Sequence, residues 1–289
     1  MSEPRGKGRA DARGTLEEVG VRPSKGLGQN FVVDPDLVRR IARVAAVGRD
    51  DEVLEIGPGL GALTRALYDT GAAVTCVEID HRLVAHLRAT LPDQVRVIEG
   101  DALEVDLGAL YAEPGASSDG VALVANLPYN VATPVVMRVL EAVPVVERML
   151  VMVQREVADR FVAKPGGRTY GAVSARIAYF ADASIEGLVP PEAFFPQPKV
   201  ISALVEIRRR ALVAVDPAHA SYHEIVTLIR HGFSTRRKML RRALGGLVSD
   251  EVFEKAGVAP TKRAEELSIQ EWGKLAQWRR SITSSLPRS

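Results

Sequence analysis

Cysteine is almost missing from this sequence: Cys76 stands alone among 289 residues. A single thiol cannot form an intrachain disulfide, and no cysteine-based zinc site can be assembled around it. Such usage fits a reducing compartment. Long apolar runs are missing too, since nothing approaches the roughly 18 consecutive apolar residues that a spanning helix needs. The leading Arg5, Lys7, Arg9 and Arg13 have no apolar segment behind them, so no secretory signal is expected. Repeats and low-complexity blocks are lacking. Apolar residues make up 46% of the chain, too many for a disordered polymer and enough for a sizeable core in one large or two ordinary domains. A cytoplasmic, globular, non-membrane protein is the expectation.

What is present is unevenly placed. Residues 1–207 carry 22 Lys and Arg against 28 Asp and Glu, whereas residues 208–289 carry 16 against 8. The formal net charge of +2 thus hides an acidic front and a basic back. A basic segment of this kind suits a polyanionic partner, nucleic acid above all, although an Arg-rich solvated helical surface has the same composition.

Residues 1–22 are rich in Gly, Arg and Glu with weak periodicity, and read as a flexible leader. From Pro35 the spacing of Leu37, Val38, Ile41, Val44 and Ala45 is helical. Short β-branched runs then alternate with helical stretches, at residues 53–56, 74–78, 95–98, 121–125 and 149–153, with a last strand over 200–207. Nearly continuous apolar strands separated by amphipathic helices call for a parallel sheet covered on both faces. After Arg210 the strand signals stop, and residues 219–244 and 249–282 read as helices broken by Gly245-Gly246 and by Gly257 to Pro260. The expected organisation is a leader (1–22), an α/β sheet domain (23–210) and a small basic helical domain (211–289).

Glu55-Ile56-Gly57-Pro58-Gly59-Leu60-Gly61 falls where a strand ends and a helix begins. Glycine permits a sharp turn and lets a ligand approach main-chain N–H groups without a Cβ in the way. Glu78, at the end of the next strand, can accept both hydroxyls of a ribose. Such a layout also suits a nicotinamide dehydrogenase. Two details speak against that: the glycine spacing is G-x-G-x-G behind an acid, and Gly100-Asp101-Ala102 closes the third strand with a carboxylate able to hold an adenine amino group. One contact from each of three successive strand ends suggests S-adenosylmethionine. The bland alternative is a plain tight turn with solvated acids.

Asn126-Leu127-Pro128-Tyr129 follows the fourth strand, at the carboxyl edge where open α/β sheets bind ligands. Methylating an exocyclic adenine nitrogen is hard because its lone pair is delocalised into the ring. An Asn side-chain oxygen and a backbone carbonyl can each accept one N6 hydrogen and aim the lone pair at a methyl sulfonium. Pro128 stiffens the loop and Tyr129 can stack on the base. Phe194-Phe195-Pro196-Gln197-Pro198-Lys199-Val200 forms a second rigid, extended segment able to hold an aromatic over a flipped base. Core packing of both phenylalanines is the competing reading.

Taken in order with Gly28-Gln29-Asn30-Phe31, Val77-Glu78-Ile79-Asp80 and Phe233-Ser234-Thr235-Arg236-Arg237-Lys238, and with the weaker Arg263 to Ser268, these motifs resemble the ribosomal small-subunit RNA adenine dimethyltransferases. That family is related to the erythromycin-resistance methyltransferases, and the resemblance runs from Lys25 to about Trp272. It implies a Rossmann-like class I S-adenosylmethionine-dependent methyltransferase domain with a seven-stranded sheet, plus a C-terminal all-helical domain. Asn30 and the backbone of Val32 would touch the cofactor, with Gln29 nearby. Gly57 and Gly59 would meet its amino-acid part, Glu78 the ribose, and Asp101 with Ala102 the adenine. Asn126, within Asn126-Leu127-Pro128-Tyr129, would serve cofactor and target base, with Tyr129 and Phe194 sandwiching the adenine. No metal is implied. Position 32 is Val where the family usually has Leu, and position 201 is Ile where it usually has Asp.

Arg230, Arg236, Arg237, Lys238, Arg241 and Arg242 form a cationic run with no acid from 230 to 242. On one continuous helix most of them would share a face, a stripe suited to tracking phosphates. The resemblance makes small-subunit rRNA, in an immature subunit, the expected partner of a monomeric enzyme that dimethylates two adjacent adenosines in the 3′-terminal hairpin loop. Methylation of large-subunit rRNA, and a role chiefly as an assembly-binding factor, are the alternatives.

Overall fold

A computed structural model describes residues 5–23, 28–111, 120–235 and 237–285. In chain order, its elements begin with α1 (Arg5–Glu18), β1 (Phe31–Val32), α2 (Pro35–Ala45), β2 (Glu52–Ile56), α3 (Ala62–Tyr68), β3 (Ala73–Glu78), α4 (His81–Thr90) and β4 (Arg96–Glu99). There follow β5 (Val121–Asn126), α5 (Ala132–Ala142), β6 (Val146–Gln154), α6 (Arg155–Phe161), α7 (Ala172–Phe180), β7 (Ala181–Val189), β8 (Phe194–Phe195) and β9 (Ser202–Arg209). The last are α8 (Tyr222–Ser234), α9 (Leu240–Ala243), α10 (Asp250–Ala256) and α11 (Ile269–Ser285).

Seven strands form one sheet in the order β4-β3-β2-β5-β6-β9-β7. β2 pairs in parallel with both β3 and β5, β3 with β4, and β5 with β6. β9 runs antiparallel to β6. The order winds outward in one direction from β2 and in the other from β5, so their carboxyl ends flank the point where an open α/β sheet leaves a crevice. Burial explains the arrangement: Val53, Leu54, Val121 to Ala125 and Val151 to Val153 are almost wholly enclosed, as strands covered on both faces must be. Helix starts are locally encoded. Asp34 accepts from the N–H groups of Asp36 and Leu37 with Pro35 at the first turn of α2, and Asp80 accepts from Arg82 N–H at the start of α4.

The chain separates into two compact units, residues 1–158 with 184–209, and residues 159–183 with 210–289. The expected cut near 210 is therefore one of three crossings, and residues 159–183 group with the helical part. Their side chains explain this. Tyr179 and Phe180 of α7 stack against Tyr222 of α8 with ring centroids 4.8 and 4.7 Å away, and the Tyr170 hydroxyl donates to Leu267 O at 2.9 Å. β7 was not expected from the sequence; its alternating exposed and half-buried residues suit one wet face, not the apolar runs that mark the central strands.

The leader also differs from expectation. Residues 5–18 are helical, and Leu16 and Val21 are buried against Phe31 and Leu83. Lys25, where the family resemblance begins, lies outside the described residues.

Candidate active site

A cavity of about 240 Å³ opens at the carboxyl ends of β2, β3, β4 and β5. Gly57 and Gly59 turn the chain out of β2 with φ of +70° and +60°, a region that costs an L side chain about 1–2 kcal/mol. A Cβ on Gly59 would stand 2.8 Å from Phe31 Cδ1, so the segment carrying β1 lies directly against this turn. Gly28 is as tightly placed: φ is +63°, and a Cβ there would come within 2.6 Å of Asn130 Oδ1. The 28–32 segment thus forms a wall between the glycine turn and the loop after β5.

Glu78 ends β3 buried, 5% exposed. Its Oε1 accepts from the N–H groups of Ile79 at 2.9 Å and Asp80 at 3.0 Å, and its Oε2 from Gly59 N–H at 3.2 Å. Burial raises its pKa, and the three N–H groups pull it part of the way back. Asp101 holds its place through Oδ1, which accepts Leu103 N–H at 2.8 Å. Asn126 donates from Nδ2 to the Asn30 carbonyl at 2.8 Å, and Asn30 donates from Nδ2 to Gly28 O at 3.1 Å. The first of these bonds fixes which end of the Asn126 amide is the donor, leaving Oδ1 as the acceptor end. Tyr129 is tied down by a 2.7 Å hydrogen bond between its hydroxyl and that of Ser202 on β9.

Gln29, Asn30, Val32, Gly57, Gly59, Glu78, Asp101, Ala102, Asn126, Leu127, Pro128 and Tyr129 all line this one cavity. Leu127 lines the cavity while only 1% exposed. Phe194 is a correction. It is fully enclosed in the apolar core, pairs with Val32 across the β1–β8 ladder, and does not line the cavity. The packing reading wins because an aromatic ring gains more from complete burial than from standing in an open cleft.

Ile79 and Glu55 are among the cavity residues that carry no role in the sequence reading. Ile79 is 51% exposed, a large apolar side chain next to Glu78; the signal was an isoleucine between two acids at a strand end. Glu55 lies on β2, 1% exposed, and no hydrogen bond reaches its Oε2. Burial pushes its pKa up to about 8; the Thr64 hydroxyl, near but making no hydrogen bond of ordinary geometry, offsets only part of the rise, and Glu78 adds to it.

The cavity wall holds Glu55, Glu78 and Asp101 and no Lys, Arg or His. A dinucleotide pyrophosphate would have to sit among acids. A cofactor with an adenosine and a cationic amino-acid arm meets partners of the right sign, one of them a buried carboxyl with an unpartnered oxygen. Fold and cavity together define a Rossmann-like methyltransferase that uses S-adenosylmethionine.

Similarity narrows the class. A family model described as ribosomal RNA adenine dimethylase matches residues 22–280. The chain is 44% identical over 282 residues to the ribosomal RNA small subunit methyltransferase A of Thermobifida fusca, covering 93% of this chain and 95% of that protein. It is 44% identical over 283 residues to the protein of the same name from Bifidobacterium adolescentis, at 93% of each. Among solved structures, the 23S rRNA methyltransferase ErmE superposes with a TM-score of 0.66 at 27% identity, over 87% of this chain and all of the other. A dimethyladenosine transferase from Plasmodium falciparum shares the fold with a TM-score of 0.70 at 23% identity, over 85% of this chain and 95% of the other. The chain belongs to the ribosomal RNA adenine dimethylase family.

In the helical unit, Arg230, Arg237, Lys238, Arg241 and Arg242 are exposed, and Arg236 lies outside the described residues. They do not share one helix. α8 stops at Ser234, whose hydroxyl bonds back to His231 O, and Thr235 leaves helical geometry with φ −127° and ψ 55°. Ser and Thr offer the backbone such local alternatives and end helices readily. Met239 then bridges to Arg263 before α9 starts. Arg241 Nε reaches Asp250 Oδ1 at 3.4 Å, a pairing between two exposed groups.

Proposed function

We propose that the protein transfers methyl groups from S-adenosylmethionine to N6 of two adjacent adenosines in the 3′-terminal hairpin loop of small-subunit rRNA, twice on each, within an immature small subunit. It does so as a cytoplasmic monomer. Family membership supports the reaction, and 44% identity over 93% of the chain to proteins named for the small subunit supports the substrate above the large-subunit RNA of the 27% identical ErmE. Among the described residues no helix is long and apolar enough to cross a membrane.

One observation carries the mechanism: the Asn126 amide is oriented by its bond to Asn30 O. With Nδ2 spent on the wall, Oδ1 is the end offered to an N6 hydrogen. That acceptor favours a pyramidal nitrogen and strengthens its hold as the nitrogen turns cationic, which is where binding energy lowers a barrier. The Leu127 backbone supplies the second acceptor, Pro128 limits loop motion, and Tyr129, held by Ser202, offers a stacking face. Once methylated, the cationic nitrogen loses its proton to solvent, so no residue is needed as a strong base. S-adenosylmethionine, when bound, supplies the electrophilic methyl on its sulfonium. Glu78 holds the ribose, Asp101 and Ala102 the adenine, and Gly57, Gly59, Gln29, Asn30 and Val32 the remainder. Phe194 backs this assembly from the core. Arg230, Arg236, Arg237, Lys238, Arg241 and Arg242 meet RNA phosphates.

Mass mapping of rRNA modifications tests the proposal. Cells lacking the protein should lose a dimethyladenosine pair from small-subunit RNA and regain it on complementation. An unchanged small-subunit map would sink the reading.

A further inference from the structure

The family match begins at residue 22, yet the chain ahead of it is built into the wall of the cavity. α1 closes in a Schellman motif. Gly20, with φ +72°, donates its N–H to Glu17 O at 3.1 Å, and Val21 donates to Leu16 O at 2.8 Å. That closure folds the side chain after the glycine back onto the last turn of the helix. Leu16 and Val21 are accordingly 2% and 3% exposed, and they form one apolar cluster with Phe31 and Leu83, against which Leu60 packs. Phe31, Leu83 and Leu60 are at the same time lining residues of the cavity.

A second, polar path starts from the same turn. Arg82 Nη1 donates to Gly20 O at 2.8 Å. The same guanidinium clasps the Asp80 carboxylate through Nε at 3.2 Å and Nη2 at 3.0 Å. Asp80 in turn donates its backbone N–H to Glu78 Oε1. The end of α1 therefore reaches the ribose-side carboxylate through three consecutive hydrogen-bonded groups, and reaches the apolar wall through two side chains.

We infer that α1 and its closing turn brace the cofactor site, Leu16 and Val21 holding the Phe31–Leu83 wall and Arg82 holding the Glu78 loop, so that cofactor affinity depends on residues ahead of the family match. This rests on the cavity being the S-adenosylmethionine site, as proposed above. The brace acts by positioning: neither Leu16, Val21 nor Arg82 lines the cavity.

The test is titration calorimetry of the full-length protein with S-adenosylhomocysteine, which binds without turnover. Leu16→Ala/Val21→Ala and, separately, Arg82→Gln should each weaken binding about 5- to 150-fold, the usual span for coupling through packed contacts. In steady state the KM for S-adenosylmethionine should rise while kcat at saturating cofactor stays unchanged, the signature of lost binding that is equal in ground and transition states. Unaltered dissociation constants in both folded variants would overturn the brace. So would a fall in kcat together with a broadened melting transition, which marks a merely structural role. If the double variant does not fold, Arg82→Gln decides, because it leaves the apolar cluster intact. Failure of the wild-type protein itself to bind S-adenosylhomocysteine would overturn the functional reading, and the brace with it.

Discussion

The cavity and the cationic run at 230–242 are the two groups of residues on which the proposed function rests, and they are held in opposite ways. In the cavity three polar side chains are fixed by backbone: Glu78 by three N–H groups, Asp101 by Leu103 N–H, Asn126 by the Asn30 carbonyl. In the cationic run the Arg and Lys side chains of the described residues are exposed, and helical geometry ends at Thr235. A preorganised contact is costly to lose because nothing reorganises to replace it. An exposed cation contributes charge at a distance, and its neighbours partly substitute for it. The two regions should therefore respond to mutation on different scales and in different observables.

The largest effect is expected at Asn126. Asn126→Ala removes the oriented acceptor and should slow methyl transfer about 100- to 1,000-fold, the usual consequence of deleting one preorganised contact. Cofactor binding should remain measurable. Single-turnover kinetics with excess enzyme would check this, and near wild-type rates would place Asn126 outside the mechanism.

A smaller and differently shaped effect belongs to Glu55. Its carboxyl is pushed from 4.5 to about 8 in the folded protein by burial. Below about pH 4.5 both folded and unfolded states are protonated, and the group contributes no pH dependence. Between about 4.5 and 8 the unfolded chain has released a proton that the folded one retains, so stability falls as pH rises, by at most about 1.4 kcal/mol per unit. Glu55→Gln should remove most of that slope, with Glu78, whose pKa burial also raises, leaving a residue of it. Denaturant titrations at pH 6, 7 and 8 would show it; identical slopes in wild type and variant would mean Glu55 is already ionised.

The smallest effect is expected in the cationic run. Arg237→Ala/Lys238→Ala should leave cofactor affinity unchanged and weaken RNA binding. The slope of log affinity against log salt should shrink by about 0.7–0.9 per lost phosphate contact. An unaltered slope would make these residues a solvated face only, and would leave the cavity as the sole functional region among the two.

The central cavity residues were legible because each closes or follows a strand that the sequence announces. Gly57, Glu78, Asp101 and Asn126 sit at the ends of β2, β3, β4 and β5, and a parallel sheet delivers all four ends to one edge. Phe194 is ambiguous in sequence because a phenylalanine between prolines looks the same in a stacking loop as in a core; its ladder with Val32 decides. In the leader, Leu16-Glu17-Glu18-Val19-Gly20-Val21 has little periodicity, yet a glycine after the last turn followed by valine is itself a helix-stop signature.

By itself the sequence determined the alternation of strand and helix, the glycine turn, the acids at successive strand ends, and the division of charge. These are local properties of side-chain type and spacing, and they survive without knowing which segments meet. Tertiary structure alone decided that residues 159–183 join the helical unit, that Phe194 is core, that the cationic run is broken, and that α1 reaches the cavity wall. Each of those depends on which distant apolar surface a segment finds to bury. Pairwise burial of that kind has no period along the chain by which it could be read.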